Sequence, residues 1–229
     1  METPNNNEEV IVPKKKRELN LSSSIIVGAI IIAAAIFVTQ GEAAPIGEGG
    51  SKFDLVSQIT EADFVRGGEK ADITIIEYAD FSCSFCAKYH PTLQKIVAES
   101  EGKIRWVYRH LPIFNMDAAV ASQCVGNLAG DNAFWNFADT MYQNREKYGA
   151  EYYKILALAE GIDSAAYDAC ITDPIVKSKI QRDFSQAKIL LGLDATPYSI
   201  VIDKSGQEFS FAGALPYEDV KSVLDGLSK

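Results

Sequence analysis

The sequence predicts an α/β domain, in which one small mixed sheet carries helices on both faces and a block of helices is inserted into it. Two patterns predict this architecture. Residues 72–110 follow a strand–helix–strand order, and residues 197–229 follow the order of a β-hairpin and a closing helix. Between them, about 113–191 show helical spacing throughout, which predicts the insertion.

The N-terminal region is predicted to lie outside this domain. Residues 1–20 are polar, and their charges sum to zero, so we expect a disordered cytoplasmic tail. Residues 21–39 hold no charged side chain, and as a helix they would span about 28 Å, close to the thickness of a bilayer core. Lys14 to Arg17 precede them, and basic residues of this kind stay on the cytoplasmic side. We therefore expect a single-pass membrane anchor.

A cleaved signal peptide is the alternative, with an apolar core from Ile25 to Val38. Its best cleavage site, "EAAP", places Glu42 and Pro45 where a signal peptidase disfavours them. Under both interpretations the domain lies outside the cytoplasm, in the periplasm or on the outer face of the membrane. Residues 40–52 are rich in Gly and Pro and are predicted to be a linker, so the domain covers 53–229.

The charge of the chain argues against one class of partner. Its net charge is −9, and all of the negative excess follows residue 20. Nucleic-acid binding needs clustered Lys and Arg, so we expect no nucleic-acid partner.

Each element of the domain has a local signal. Thr60 and Asp63 form a weak capping pattern, which predicts a short turn. Residues 72–79 are almost continuously apolar, as in a strand buried on both faces. A helix is expected over 84–100 and a second strand over 103–110. Four short helical segments separated by Gly, Asn and Asp should follow, and then a longer helix from Pro174 to Gly192. The turn at 204–206 joins the last two strands.

Cys83 and Cys86 form a CxxC motif at the junction of the first strand and the first helix. Such a motif can be a redox pair, part of a metal site or a pair of core residues. Haem attachment is excluded, because residue 87 is Ala. A structural zinc site needs four ligands, and His90 could supply only a third. A thiol in the first turn of a helix meets unpaired backbone N–H groups, which stabilise the thiolate. This favours Cys83 as nucleophile and Cys86 as the resolving thiol.

The strand–CxxC–helix unit, with Pro91 five residues after Cys86, resembles the thioredoxin superfamily. The helical insertion resembles its DsbA-like branch of thiol-disulfide oxidoreductases, and so do four stretches in the same order: "EYADFSCSFC", "HPTL", "FWNFADTMY" and "TPYSIVID". The resemblance runs from about residue 59 to residue 227. It implies a thioredoxin-like fold with an inserted helical subdomain, and no metal or organic cofactor.

The resemblance also implies roles for residues outside the motif. Pro197 matches the proline whose preceding peptide bond is cis in these folds, and Thr196 would pair with an extended substrate; the alternative is an ordinary proline at a strand start. Glu77 matches a buried acid thought to shuttle protons for the buried thiol, with a raised pKa. Its alternative is an exposed strand residue.

The chain departs from the family pattern between the cysteines. DsbA-like proteins often have Pro after the first cysteine, and the strongly oxidising ones have His before the second, where this chain has Ser84 and Phe85. Both would face substrate. Without the histidine, one group that holds the Cys83 thiolate is missing, so we expect a milder oxidant.

Cys124 and Cys170 lie in the predicted insertion. In an oxidising compartment such a pair is most simply a structural disulfide. Two buried free thiols and a second redox pair are the alternatives.

These patterns predict a membrane-anchored enzyme that introduces disulfides into thiol-containing exported proteins. A quinone-linked membrane thiol oxidase would re-oxidise it. Two alternatives stay open: a disulfide reductase or isomerase of the same fold, favoured by Thr196, and a metallochaperone using Cys83, Cys86 and His90.

Overall fold

The computed structural model describes Val56 and residues 58–227. The predicted tail (1–20), anchor (21–39) and linker (40–52) lie outside the described residues, and so do the first residues of the predicted domain. Within the described part of the chain, no helix is long and apolar enough to cross a bilayer.

The described domain alternates strands and helices around one sheet. In chain order the elements are β1 Phe64–Gly67, β2 Ile73–Ala79, α1 Ser84–Glu99, β3 Ile104–His110, α2 Met116–Gln143, α3 Ala150–Ala159, α4 Ser164–Cys170, α5 Pro174–Ser185, β4 Tyr198–Asp203, β5 Glu208–Ala212 and α6 Tyr217–Leu227. A short 3₁₀ turn, Arg145–Lys147, follows α2, and a π-helical turn, Gln186–Leu190, continues α5.

The five strands form a single mixed sheet in the order β1-β3-β2-β4-β5. Strands β2 and β3 are parallel, and the other neighbours are antiparallel. All seven residues of β2 are buried, because helices cover both faces of the sheet at its centre. The predicted α/β fold with a helical insertion is confirmed.

The sequence prediction missed strand β1. The predicted turn is present, with the Thr60 amide donating to the Asp63 carboxylate at 2.9 Å. Directly after it, Phe64 begins an edge strand that pairs with β3. With only four residues, including Arg66 and Gly67, the strand lacks the alternation by which strands are recognised.

The insertion between β3 and β4 differs from its prediction in one place. The first two of the predicted short helices form one run, α2, which is interrupted only at Gly130. Gly130 has a φ of 84°, a conformation that favours glycine, and the chain changes direction there without a connecting loop. Helices α3, α4 and α5 follow as separate elements.

Two apolar clusters lie on opposite sides of the sheet. The larger joins α1, α2 and the sheet, and it includes the fully buried Leu93, Trp106 and Phe134. The smaller holds Val56 and Leu193 against the other face of β2 and β4. The loop that precedes β4 is therefore anchored by the same cluster that holds the start of the described domain.

A buried ionic network fixes the start of the domain. The Arg109 guanidinium contacts Asp63 at 3.2 Å, and Lys179 lies 3.4 Å from Asp63 and 2.6 Å from Asp183. Arg109 also donates to the backbone carbonyl of Val56 and, at 2.7 Å, to that of Gln58. Strand β3, helix α5 and the residues before β1 are joined by these contacts.

Candidate active site

Cys83 lies at the N-cap of α1, directly after the loop that follows β2. Its backbone is extended (φ −73°, ψ 123°), and its amide donates to the Asp80 carbonyl at 3.0 Å. The buried Asp80 carboxylate accepts from the amides of Ser82 and Phe114. Asp80 therefore holds the loop before the CxxC motif against the segment that leads into the insertion.

Three side chains near or within the insertion hold the same loop. Tyr148 donates from its hydroxyl to the Phe81 carbonyl at 3.1 Å, and Arg145 donates to the Ser82 carbonyl at 2.5 Å. Asn115, which caps α2, donates to the Ser82 hydroxyl at 2.9 Å. Residues at the start of α2 and in the segment after it thus hold the loop that presents Cys83.

Cys83 faces the loop that precedes β4. Its sulfur lies 3.3 Å from the Thr196 carbonyl oxygen, and the peptide bond between Thr196 and Pro197 is cis. The structure therefore brings together the four predicted residues Cys83, Cys86, Thr196 and Pro197.

The two thiols of the motif lie in different environments. Both are free in this structure, and their residues are 6% and 0% exposed for Cys83 and Cys86 respectively. A hydrogen bond from the Cys86 thiol, aided by the amides of Cys86 and Phe85, lowers the pKa of Cys83 to about 5. Burial raises the pKa of Cys86, and the neighbouring Cys83 and Glu77 raise it further. Cys83 is thus the thiolate, and Cys86 keeps its proton.

Ser84 and Phe85, between the cysteines, are exposed on the first turn of α1. The Phe85 side chain is 57% exposed, and the Lys88 ammonium lies 5.4 Å from its ring centroid. These two residues form the solvent side of the motif, next to the Cys83 sulfur.

Glu77 is buried in the middle of β2, with 1% of its surface exposed. One carboxyl oxygen accepts from the Trp106 indole nitrogen at 3.1 Å, and the other has no hydrogen-bond partner among the described residues. Burial raises the pKa of Glu77 to about 8, the Trp106 bond opposes this rise, and the negative charge of Cys83 adds to it. The alternative of an exposed strand residue is therefore wrong.

His90 belongs to a polar cluster on the inner side of α1 and not to the cysteine pair. Its Nε2 lies 2.7 Å from Asp139, which also accepts from Arg66 at 2.8 Å and from Gln94 at 2.9 Å. Over Val56 and residues 58–227, no three side chains of His, Cys, Asp or Glu are placed to hold a metal ion. His90 is thus not a third ligand beside Cys83 and Cys86.

Cys124 and Cys170 are joined in a disulfide that ties α2 to α4, with Cα atoms 5.8 Å apart. Cys124 is fully buried, and neither of the two helices that the disulfide joins carries Cys83 or Cys86.

Several side chains that build the site were not identified from the sequence: Asp80, Trp106, Asp139 and Arg145. Asp80 lies three residues before Cys83, and its place in the loop before the motif was the available signal. Trp106 could be placed only once the register was known, because it shares a face of the sheet with Glu77 on the neighbouring strand. Asp139 and Arg145 act across long sequence separations that no local pattern encodes.

Comparison with known proteins identifies the family. A family model described as Thioredoxin matches residues 59–226. The chain belongs to the thioredoxin family. The matched region starts just before β1 and ends in α6, so it includes the insertion as well as the sheet.

Solved structures of DsbA proteins share this thioredoxin-family fold. Wolbachia pipientis α-DsbA1 superposes with a TM-score of 0.68 at 22% identity, over 78% of this chain and 96% of that one. Pseudomonas aeruginosa DsbA2 superposes with a TM-score of 0.60 at 26% identity, over 74% of this chain and 97% of that one. The resemblance to the DsbA-like branch is thereby confirmed.

Curated relatives match the thioredoxin-family domain over part of their length. The Na⁺/H⁺ antiporter NhaA of Herminiimonas arsenicoxydans is 29% identical over 60% of this chain but only 22% of that protein. A Rickettsia bellii protein, provisionally named a protein-disulfide oxidoreductase, is 27% identical over 53% of this chain and 49% of that protein. The chain thus spans about a fifth to a half of the length of these relatives.

Proposed function

We propose that this chain is an extracytoplasmic thiol-disulfide oxidoreductase that introduces disulfides into exported proteins through Cys83 and Cys86. One observation carries the proposal: a sulfur with a lowered pKa lies at a helix N-terminus, 3.3 Å from the carbonyl before a cis-proline, with a buried thiol beside it. A stable thiolate is the nucleophile and the leaving group that disulfide exchange requires.

The exchange proceeds in two steps. A substrate thiolate attacks the Cys83 sulfur of the Cys83–Cys86 disulfide; the S–S bond breaks, and Cys86 leaves and takes a proton from Glu77. A second substrate thiolate then attacks the substrate sulfur of the mixed disulfide, and Cys83 leaves as a thiolate. The substrate loses two electrons and gains a disulfide, and the cysteine pair takes up both electrons. No metal or organic cofactor takes part in this exchange.

Substrate would bind in extended form across the exposed side of the motif. The Thr196 backbone, directly before the cis bond to Pro197, lies against Cys83, and Ser84 and Phe85 are exposed beside it. Backbone pairing at Thr196 suits a range of sequences, because main-chain hydrogen bonds do not depend on the side chain.

Residues 21–39 would anchor the enzyme to the cell membrane, with the N-terminus in the cytoplasm and the domain on the other side. The anchor would also keep it close to a quinone-linked membrane thiol oxidase, which would take the two electrons and restore the Cys83–Cys86 disulfide. Tethering both proteins to one membrane raises their effective concentration.

The test is the redox state of the pair in the native cell. Thiols are trapped by acid quench and alkylation, and peptides with Cys83 and Cys86 are read by mass spectrometry. We expect mostly disulfide. In the same cells, Cys86→Ser should accumulate mixed disulfides with exported proteins, and the matched variant Cys83→Ser should not. Absence of mixed disulfides with Cys86→Ser would exclude thiol exchange.

A second function with the opposite electron flow, disulfide reduction or isomerisation, is favoured by Thr196 before Pro197. The same trapping experiment decides between the two, because a reductase or isomerase keeps the pair mostly as thiols.

A further inference from the structure

Trp106 and Glu77 form a buried hydrogen-bonded pair inside the domain. The indole nitrogen lies 3.1 Å from Glu77 Oε2, and the two residues are 0% and 1% exposed. We propose that Trp106 is a positioning residue for proton exchange between Glu77 and Cys86: its indole N–H orients the carboxyl group and adjusts its basicity. This inference rests on the proposed function, since it assumes that Cys86 reacts.

The geometry leaves one carboxyl oxygen for the exchange. Oε2 is engaged by Trp106, while the buried Oε1 has no hydrogen-bond partner within Val56 and residues 58–227. The charge of Glu77 acts on Cys86. A carboxyl group that is held at one oxygen keeps the other in a fixed direction, as a group that transfers protons requires. Without the indole, the Glu77 carboxylate would lose the one hydrogen-bond donor that it has among the described residues.

The indole itself is held in place from two sides. The Trp106 ring lies 4.4 Å from Trp135 and 4.9 Å from His90, measured between centroids. His90 is in turn fixed by Asp139, which also binds Arg66. The Arg66 charge lies 5.8 Å from the Trp106 ring and is paired with Asp139. The direction of the Trp106 N–H is therefore set by ring contacts in which Glu77 takes no part.

The groups that act electrostatically on Glu77 come from several elements. They are Cys83 at the N-cap of α1, Cys86 and Tyr89 of α1, Tyr108 of β3 and Tyr142 of α2, with Ser199 of β4 opposite Glu77 in register.

Between pH 6 and pH 10 these neighbours keep their charge state. Burial raises the pKa values of the three tyrosines and of Cys86, so these groups stay neutral, and Cys83 is already a thiolate. Burial also lowers the pKa of His90 from its ordinary value of 6.5, so His90 does not titrate near pH 8. A titration near pH 8 that is sensed at Trp106 is therefore that of Glu77.

The first test follows the two indole N–H groups of the purified full-length chain with Cys83 and Cys86 reduced; the chain contains two tryptophans. The ¹⁵N–¹H signal of Trp106 should move with a midpoint near pH 8. That of Trp135, whose buried indole nitrogen has no partner among the described residues, should stay constant. In Glu77→Gln both signals should be flat. A flat Trp106 signal in the unmodified chain would overturn the inference, whether or not the protein exchanges thiols.

The second test measures how fast Cys86 resolves a mixed disulfide between Cys83 and thionitrobenzoate. Cys86 attacks the Cys83 sulfur, the aromatic thiolate leaves, and Glu77 takes the Cys86 proton. Trp106→Phe should raise the pKa of Glu77, so that the pH profile moves up by about one pH unit and the rate at pH 7 falls about tenfold. Tyr167→Phe is the control: it also alters a buried aromatic side chain, on α4, and should leave the profile unchanged.

Two outcomes would overturn the role of Trp106: an equal shift in Tyr167→Phe, or a shift by Trp106→Phe that persists in the Glu77→Gln background. Failure of the proposed function is distinguishable. In that case Cys86 of the unmodified protein would displace no thionitrobenzoate from the mixed disulfide at any pH. The Trp106 signal would still titrate near pH 8, because it depends only on the Trp106–Glu77 hydrogen bond.

Discussion

The Cys83 sulfur lies 3.3 Å from the Thr196 carbonyl oxygen, although 113 residues separate them in the chain. One partner stands at the end of the β2–α1 loop, and the other precedes β4, which pairs with β2. Because neighbouring strands carry the two loops, the sheet sets the distance between the reactive sulfur and the cis-peptide loop. A substrate must therefore reach a sulfur whose residue is only 6% exposed, lying against that loop.

The reactivity of Cys83 should follow its lowered pKa. In the reduced full-length chain, the rate of iodoacetamide modification should rise with a midpoint near pH 5, because the thiolate is the reactive form. Mass spectrometry of the alkylated peptides measures it. Cys86 should stay unmodified until the protein is unfolded, which is the internal control. A Cys83 midpoint near pH 9 would contradict the predicted environment.

The same shift makes the stability of the reduced form depend on pH. The pKa of Cys83 is about 5 in the folded protein, against an ordinary value of 9.0. The stabilisation is fully present above pH 9 and is lost as the pH falls through 5. The oxidised form has no such group. The reduced form should therefore gain unfolding free energy relative to the oxidised form between pH 5 and pH 9, as measured by urea denaturation of both forms. A constant difference would contradict this expectation.

Glu77 should destabilise the protein at neutral and alkaline pH. Its folded pKa is about 8, against an ordinary value of 4.5. This destabilisation is absent below pH 4.5 and grows as the pH rises towards 8, because Glu77 ionises at a lower pH in the unfolded chain than in the folded protein. Glu77→Gln should raise the unfolding free energy by about 2–5 kcal/mol at pH 8 and change it little at pH 4.

Denaturation at the two pH values measures this effect. Glu61→Gln, at an exposed position, is the control, and its effect on the unfolding free energy should be the same at pH 4 and at pH 8. If Glu77→Gln had the same effect at pH 4 as at pH 8, its cause would lie in packing and not in ionisation.

The sequence predicted the parts of the fold that rest on local patterns. The continuous apolar run of β2, the start of α1 at Ser84 and the start of α6 at Tyr217 are all present as expected. Strand β1 was missed because its pairing with β3 stabilises four residues that carry no strand pattern of their own. At Gly130 the sequence predicted a break between two helices where the structure has a kink within one, because glycine in a helical pattern is compatible with either.

In the candidate site, the sequence predicted the residues that belong to a motif and did not identify those that belong to none. Cys83, Cys86 and Pro197 are marked by spacing or by resemblance. Trp106 and Asp139 act through contacts that span 29 residues to Glu77 and 49 residues to His90. Such contacts depend on strand register and helix packing, which are properties of the folded chain.

The Cys124–Cys170 disulfide should stabilise the insertion without taking part in exchange. It closes a separation of 46 residues, for which restriction of the unfolded chain gives about 4 kcal/mol as an upper figure. Cys124→Ala/Cys170→Ala should lower the unfolding free energy by up to that amount and leave the redox state of Cys83 unchanged. The matched control, Cys83→Ala/Cys86→Ala, keeps this disulfide and should lose less stability. An altered Cys83 potential in the first variant would instead support a second redox pair.

Arg109 should be a major contributor to stability, because its partners are buried. The side chains of Arg109 and Asp63 are 3% and 2% exposed, and the guanidinium also serves the carbonyls of Val56 and Gln58. Arg109→Met keeps much of the volume but takes this donor from two backbone carbonyls and leaves the buried Asp63 carboxylate with only Thr60 and Lys179 as partners. The expected loss is about 3–5 kcal/mol of unfolding free energy, measured by urea denaturation.

Lys188→Met is the matched control for Arg109→Met. It also removes a cation from an ion pair, but its partner Asp194 has a side chain that is 92% exposed. Water replaces that contact, so the loss should stay below about 1 kcal/mol. Equal losses in the two variants would mean that the buried network is no stronger than a surface pair. A large loss in Arg109→Met alone would show that burial, and not the number of ion pairs, sets the stabilisation at the start of the domain.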